Sequence, residues 1–151
     1  MVSVNHWKLY CDGASRNNPG KAGAGVHIIK NDSTFLQNSY FLGIKTNNEA
    51  EYLALLLGFY LIEEHWGITD SLAIFSDSQL LIRQLNGQYR VREPRLIPLY
   101  SCARSFLASR AHTLTHIPRE ENAMADRLAN LGIKKGIQPP ESFSRFCERP
   151  G

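Results

Sequence analysis

The sequence predicts a single α/β domain: a mixed five-stranded sheet, three antiparallel strands followed by two parallel ones, with helices on both faces. Two observations predict it. At 151 residues the chain is one ordinary domain with a real core. Its apolar periodicity changes along the chain in the order β-β-β-α-β-α-α-β-α, which only a layered sheet-and-helix arrangement can bury.

Residues 7–12 alternate as a strand does, and the turn formers of residues 12–20 end it. Residues 22–30 and 34–42 read as two further strands joined by a hairpin turn at 30–33. From Asn48 the period becomes helical: Ala50, Leu53, Ala54, Leu57 and Leu61 share one stripe, Thr46, Asn47 and Asn48 offer caps, and Gly67 marks the end. Residues 71–76 form a short apolar run closed by Asp77, as in a strand covered on both faces, and 79–85 read as a short helix. A polar stretch containing Gly87, Arg90, Arg92 and Arg95 leads to a helix over about 96–108, a strand over 112–117 and an amphipathic helix over 121–134. Residues 1–136 make the domain, and 137–151 are expected to be a flexible C-terminal tail in which Arg145 and Arg149 stand near Phe143 and Phe146.

Composition narrows the function classes. With 43% hydrophobic and 21% charged residues, wholesale disorder and coiled coils are excluded. No apolar run approaches the roughly 20 residues of a membrane span, and the start lacks the pattern of a secretory signal. Cys11, Cys102 and Cys147 are odd in number and widely spaced, which favours a reducing, cytoplasmic compartment over a disulfide scaffold or zinc site. The net charge of +3 permits a polyanionic partner without demanding one.

Four carboxylates do not belong where an apolar core should be. Asp12 and Asp77 each end an apolar strand, the place where open α/β sheets bind ligands. Glu51 and Asp126 lie beside the buried stripes of their helices. Singly, each has a plain alternative: an Asx turn for Asp12, a helix cap for Asp77, a solvated helix acid for the other two. Together they describe an all-oxygen, strongly negative pocket suited to Mg²⁺ or Mn²⁺. Two such ions about 3.5–4 Å apart can activate water and stabilise a leaving oxygen at phosphorus.

Four segments carry a resemblance. Residues 10–20 (YCDGASRNNPG), 46–52 (TNNEAEY), 75–79 (FSDSQ) and 121–129 (ENAMADRLA) resemble, in order and spacing, the motifs of type 1 ribonuclease H, across residues 7–134. The resemblance implies a ribonuclease H-like fold and endonucleolytic cleavage of the RNA strand of an RNA/DNA hybrid with two Mg²⁺, Mn²⁺ being a possible substitute, leaving 3′-hydroxyl and 5′-phosphate ends. It implies Asp12, Glu51, Asp77 and Asp126 as metal-binding catalytic acids. Asn18, Asn47, Asn48 and Gln79 match polar residues used in the minor groove, and Thr46, with Lys45 beside it, matches a DNA-phosphate contact. Amides suit that task because they donate and accept at base edges and 2′-hydroxyls.

This chain departs from the family in two places. Many bacterial members carry a long basic protrusion where residues 85–95 here run almost directly into the next helix, leaving Arg90, Arg92 and Arg95 as partial substitutes and implying weaker, more salt-sensitive hybrid binding. Many members also have a mobile histidine before the fourth acid. Arg119 is the substitute expected here, acting electrostatically because guanidinium cannot serve as a general acid at neutral pH, with His116 second. A monomer is expected, with double-stranded RNA as a secondary substrate. The rival reading is a catalytically weak hybrid- or double-stranded-RNA-binding module of the same fold.

Overall fold

A computed structural model describes residues 4–148. The chain runs β1 (His6–Ser15), β2 (Gly20–Lys30), β3 (Ser33–Lys45), α1 (Asn47–Glu63), β4 (Ser71–Ser76), α2 (Gln79–Leu85), α3 (Ile97–Leu107), β5 (Ala111–His116), α4 (Ala123–Lys135) and α5 (Ser142–Cys147). The sheet order is β3-β2-β1-β4-β5. β1, β2 and β3 are antiparallel neighbours, while β1–β4 and β4–β5 are parallel. The β2–β3 hairpin turns on Asn31 and Asp32, both at positive φ (49° and 68°), the conformation that two-residue turns require and that Asn and Asp tolerate. This order sets the ends of β1 and β4 side by side, bringing Asp12 and Asp77 to one edge of the sheet.

On one face of β1, Trp7, Leu9 and Cys11 are buried and pack with α1. Behind α1 lie α3 and α5, so α1 is buried on more than one side. Ala50, Ala54 and Leu57 of the expected stripe are buried as foreseen, but Tyr52, Leu55, Leu56, Phe59 and Ile62 are buried too, and Leu53 and Leu61 are only half-buried. The helix also stops at Glu63 rather than Gly67. The intervening turn is held by buried Asp70, which accepts from Trp7 Nε1 at 2.9 Å, Gly67 N at 2.9 Å and Asn5 N at 3.0 Å.

α4 covers the other face over β2, β3 and β1. Its approach depends on Gly25, where a Cβ would lie 2.2 Å from the Ala125 carbonyl oxygen. β4 is not covered on both faces as expected: Leu72, Ile74 and Ser76 are buried, while Ser71, Ala73 and Phe75 are half-buried because α4 stops short of this end of the sheet.

The segment expected to be a tail is built into the domain. Phe143 and Phe146 of α5 are buried against Tyr60 of α1, both at 5.7 Å between ring centroids, and the Cys102 thiol donates to the Phe146 carbonyl at 3.2 Å. Two phenylalanines spaced three apart bury together on one side of even a short helix, which the polar composition of 137–151 conceals. Arg145 is exposed on α5, and Arg149 lies outside the described residues. Cys11, Cys102 and Cys147 form no disulfide, and among the described residues no helix is long and apolar enough to cross a membrane.

Candidate active site

Asp12 sits near the end of β1, 5% exposed, where the strand runs out of the core. Its neighbour Gly13 is the local device: a Cβ there would lie 2.1 Å from the Ala50 carbonyl carbon, so glycine lets α1 press against the strand. The Gly13 N–H then donates to Glu51 Oε1 at 2.6 Å, fixing that carboxylate beside Asp12. A capping box at Thr46 and Glu49 starts α1 one turn earlier, with Glu49 N donating to Thr46 Oγ1 at 3.1 Å and Thr46 N donating to Glu49 Oε1 at 3.0 Å. Asp77 follows β4. It does not cap α2, because Ser78 does so, accepting from Leu81 N at 3.2 Å. Nor does Asp12 make an Asx turn: its carboxylate accepts no backbone N–H among the described residues. Both plain alternatives fail for the strand acids.

Oxygen atoms of Asp12, Glu51 and Asp77 all lie within 4.8 Å of one another. Asp126, one turn into α4, faces the same cleft, and Asn130 a turn later donates to its backbone oxygen at 2.9 Å and its Oδ1 at 3.4 Å. Burial, followed by the charges of Glu51 and Asp77 and a hydrogen bond with Asp126, pushes the Asp12 carboxyl up to about 10. Burial also pushes Glu51 up to about 7, against the opposing hydrogen bond from Gly13. Carboxylates so placed are costly without a cation, and an all-oxygen donor set fits a hard divalent ion.

The cleft holds about 640 Å³, and Asn47, Asn48, His116 and Arg119 also line it. Arg119 lies on a single 3₁₀ turn (Arg119–Asn122) between β5 and α4, its Nη2 3.9 Å from Asp126 Oδ1 and 81% exposed. His116 is at the end of β5 with Nε2 3.3 Å from the Asp77 carbonyl oxygen. Thr46, Asn18 and Gln79 stand outside the cleft lining. Thr46 is half-buried at the cap, Gln79 is exposed at the first residue of α2, and Asn18 accepts from Asn47 N at 2.8 Å through its Oδ1. The Asn47 carboxamide in turn accepts from Ser15 N at 3.0 Å, tying the β1–β2 turn to the start of α1.

Sequence reasoning missed the residues that hold the acids. Asn130 was findable, four positions after Asp126 and therefore on its face of the helix. Asn122 was not. It reads as a helix-starting polar residue, yet it is buried, and its Nδ2 donates to the Cys11 carbonyl at 3.0 Å, pinning the start of α4 to the strand beside Asp12.

A β3-β2-β1-β4-β5 sheet with acids converging at the ends of its two central parallel strands defines a ribonuclease H-like hydrolase domain. Residues 10–132 match the family described as reverse transcriptase-like, and the chain belongs to that family as a type 1 ribonuclease H. Among solved structures, LC11-RNase H1 in complex with an RNA/DNA hybrid is 35% identical with a TM-score of 0.81, covering 85% of this chain and 97% of that one. RNase H1 of the archaeon Halobacterium salinarum is 32% identical with a TM-score of 0.78, covering 87% and 98%. A bifunctional protein of Mycobacterium tuberculosis is 41% identical over 134 residues, covering 86% of this chain but 36% of the relative. The chain therefore spans about a third of that relative's length. α5 lies beyond the residues that the family match covers.

Proposed function

We propose that the chain is an endoribonuclease that hydrolyses the RNA strand of RNA/DNA hybrids with two Mg²⁺, Mn²⁺ substituting, and leaves 3′-hydroxyl and 5′-phosphate ends. The observation that carries this reading is the convergence of Asp12, Glu51 and Asp77 within 4.8 Å in an open cleft flanked by Asn47 and Asn48. Asp12, Glu51, Asp77 and Asp126 are the residues that would hold the cations. Bound divalent ions there supply a Lewis acid for the phosphate and lower the pKa of water. The chain's own part is to hold its carboxylates ready: Gly13 orients Glu51, Asn130 orients Asp126, and burial keeps Asp12 poorly solvated. Arg119 offers a fixed positive charge at the rim, where it offsets phosphate charge without moving a proton.

The amides suit a sequence-blind reader. Because backbone N–H groups occupy the Oδ1 atoms of Asn18 and Asn47, their NH₂ groups are what remains to face a ligand. Such donors match the N3 and O2 acceptors that every base pair shows in the minor groove. Asn48 and Gln79 are exposed on either side, and the Thr46 hydroxyl proton, with Lys45 alongside, is free for a DNA phosphate. The LC11 complex with an RNA/DNA hybrid supports this substrate. Three cysteines outside any disulfide support a cytoplasmic setting, and the protein is proposed to act as a monomer.

Matched RNA/DNA hybrid, double-stranded RNA and duplex DNA, incubated with and without Mg²⁺ and resolved on denaturing gels, test the proposal. Cleavage of the hybrid RNA strand only with Mg²⁺, with double-stranded RNA cut slowly and DNA uncut, is expected. Hybrid binding without cleavage under any divalent ion would replace this reading with that of a binding module.

A further inference from the structure

One buried polar pair lies outside the cleft, and the proposed chemistry leaves it unused. Tyr52 of α1 is 1% exposed, and its hydroxyl donates to Oε1 of Gln84 in α2 at 2.7 Å, with Gln84 4% exposed. Neither residue lines the cleft, yet each is tied to one of its acids. Consecutive helix positions point about 100° apart, so α1 turns Glu51 to the Gly13 N–H and the next side chain, Tyr52, to α2. Gln84 follows Asp77 on the same short helix, and the path between them is stiff. Ser78 N donates to the Oγ of buried Ser76 at 3.0 Å, Ser78 caps α2, and Leu81, Ile82 and Leu85 are buried. On the other side Arg104 of α3 donates to the Leu85 carbonyl at 2.8 Å, which secures the end of α2 independently of Tyr52. An apolar pair of the same shape would pack here at little loss of stability. What the hydroxyl and the amide add is direction.

We propose that Tyr52 and Gln84 are positioning residues that hold α2, and with it Asp77, in register with Glu51 and so set the carboxylate spacing for Mg²⁺; the inference rests on the reading of the cleft as a metal-dependent nuclease. At roughly 1.5 Å per residue, Gln84 stands about 10 Å from Asp77 along the helix. A hydrogen bond with roughly 0.3 Å of play at that distance limits the tilt of α2 to about 2°. Without it the tilt is left to apolar packing, which is not directional, and the carboxylate at the other end of the lever shifts with it. Mg²⁺ demands near-ideal octahedral ligands at about 2.0–2.1 Å, whereas Ca²⁺ accepts about six to eight at roughly 2.3–2.6 Å in flexible geometry. The smaller ion therefore feels the loss, and the larger one tolerates it.

Titration of the metal-free protein with MgCl₂ and with CaCl₂, followed by the NMR shift of the Gly13 amide that donates to Glu51, tests this without turnover. Tyr52→Phe is expected to weaken Mg²⁺ binding about tenfold, the low end for outer partners of metal ligands, and Ca²⁺ binding by no more than about twofold. In turnover assays kcat falls while KM for the hybrid stays within about twofold. Y52F/Q84M, which leaves no buried polar atom unpaired, regains the wild-type melting temperature but not the Mg²⁺ affinity. Tyr60→Phe removes another α1 phenol bond, to Ser142 of α5, and leaves both affinities as in the wild type. Unchanged Mg²⁺ affinity in Tyr52→Phe overturns the proposal. So does an equal loss for both ions, or recovery of Mg²⁺ affinity together with stability in Y52F/Q84M, since either assigns the pair to folding alone. A wild type that binds Mg²⁺ in the cleft but never cleaves hybrid overturns the nuclease reading and leaves the pair to be judged on the ion affinities. A wild type whose Gly13 amide does not respond to Mg²⁺ overturns both.

Discussion

Asp12 is both a ligand candidate and a cost to the fold. Its carboxyl and that of Glu51 are displaced upward, from 3.8 to about 10 and from 4.5 to about 7. An acid whose pKa is raised on folding holds more protons folded than unfolded, so metal-free stability falls as pH rises through that interval. Asp12→Asn is therefore expected to raise the melting temperature in EDTA at pH 8, with the gain shrinking toward pH 4, as followed by circular dichroism. The same variant, and Asp77→Asn, should lose hybrid cleavage while keeping or tightening hybrid binding. More than about a hundredth of the wild-type rate retained by Asp12→Asn is incompatible with a metal-holding role. Arg119 and His116 separate by turnover: Arg119→Ala is expected to lower kcat by roughly ten- to a thousandfold with affinity much less affected, Arg119→Lys to recover part of it, and His116→Ala to stay within a few-fold. The reverse pattern would give the rim position to His116, whose Nε2 already lies beside the Asp77 carbonyl.

At the scale of elements, α5 is the part of the fold that composition hid. Its two phenylalanines close the outer side of α1 and α3, where Phe59 and Phe106 already stack at 4.2 Å. Phe146→Ala is expected to cost about 3 kcal/mol, roughly 6–12 °C in Tm, while leaving hybrid cleavage at 25 °C near wild type because α5 does not line the cleft. Strand order, the hairpin at Asn31 and Asp32 and the positions of the acids were legible because alternation, turn chemistry and misplaced charge are local signals. The ends of α1, the half-open face of β4 and the burial of Asn122 were not, since each depends on which element from elsewhere in the chain packs there. Asp70 shows the same limit: its three donors come from Asn5, Trp7 and Gly67, and only the last is a sequence neighbour.

For the whole molecule, the cleft and the fold share one equilibrium. A cation that binds the folded acids and not the unfolded chain adds stability by mass action, so Mg²⁺ should raise the wild-type melting temperature, more at pH 8 than at pH 5, and should do so far less for Asp12→Asn. Calorimetry across a Mg²⁺ titration checks this, and an equal response from both proteins would remove Asp12 from the metal site.

The hydrogen bond from Asn122 to the Cys11 carbonyl spans 111 positions of sequence. During synthesis the first strand leaves the ribosome long before α4 exists, and until then Asp12, Glu51 and Asp77 have no fourth acid and no Arg119 over them. A growing chain therefore holds the complete set of acids proposed to bind metal only once α4 has been made. Fragments stopped before residue 119 are expected to show no hybrid cleavage, and adding a separate peptide of residues 117–148 should restore a measurable rate if it docks against the sheet.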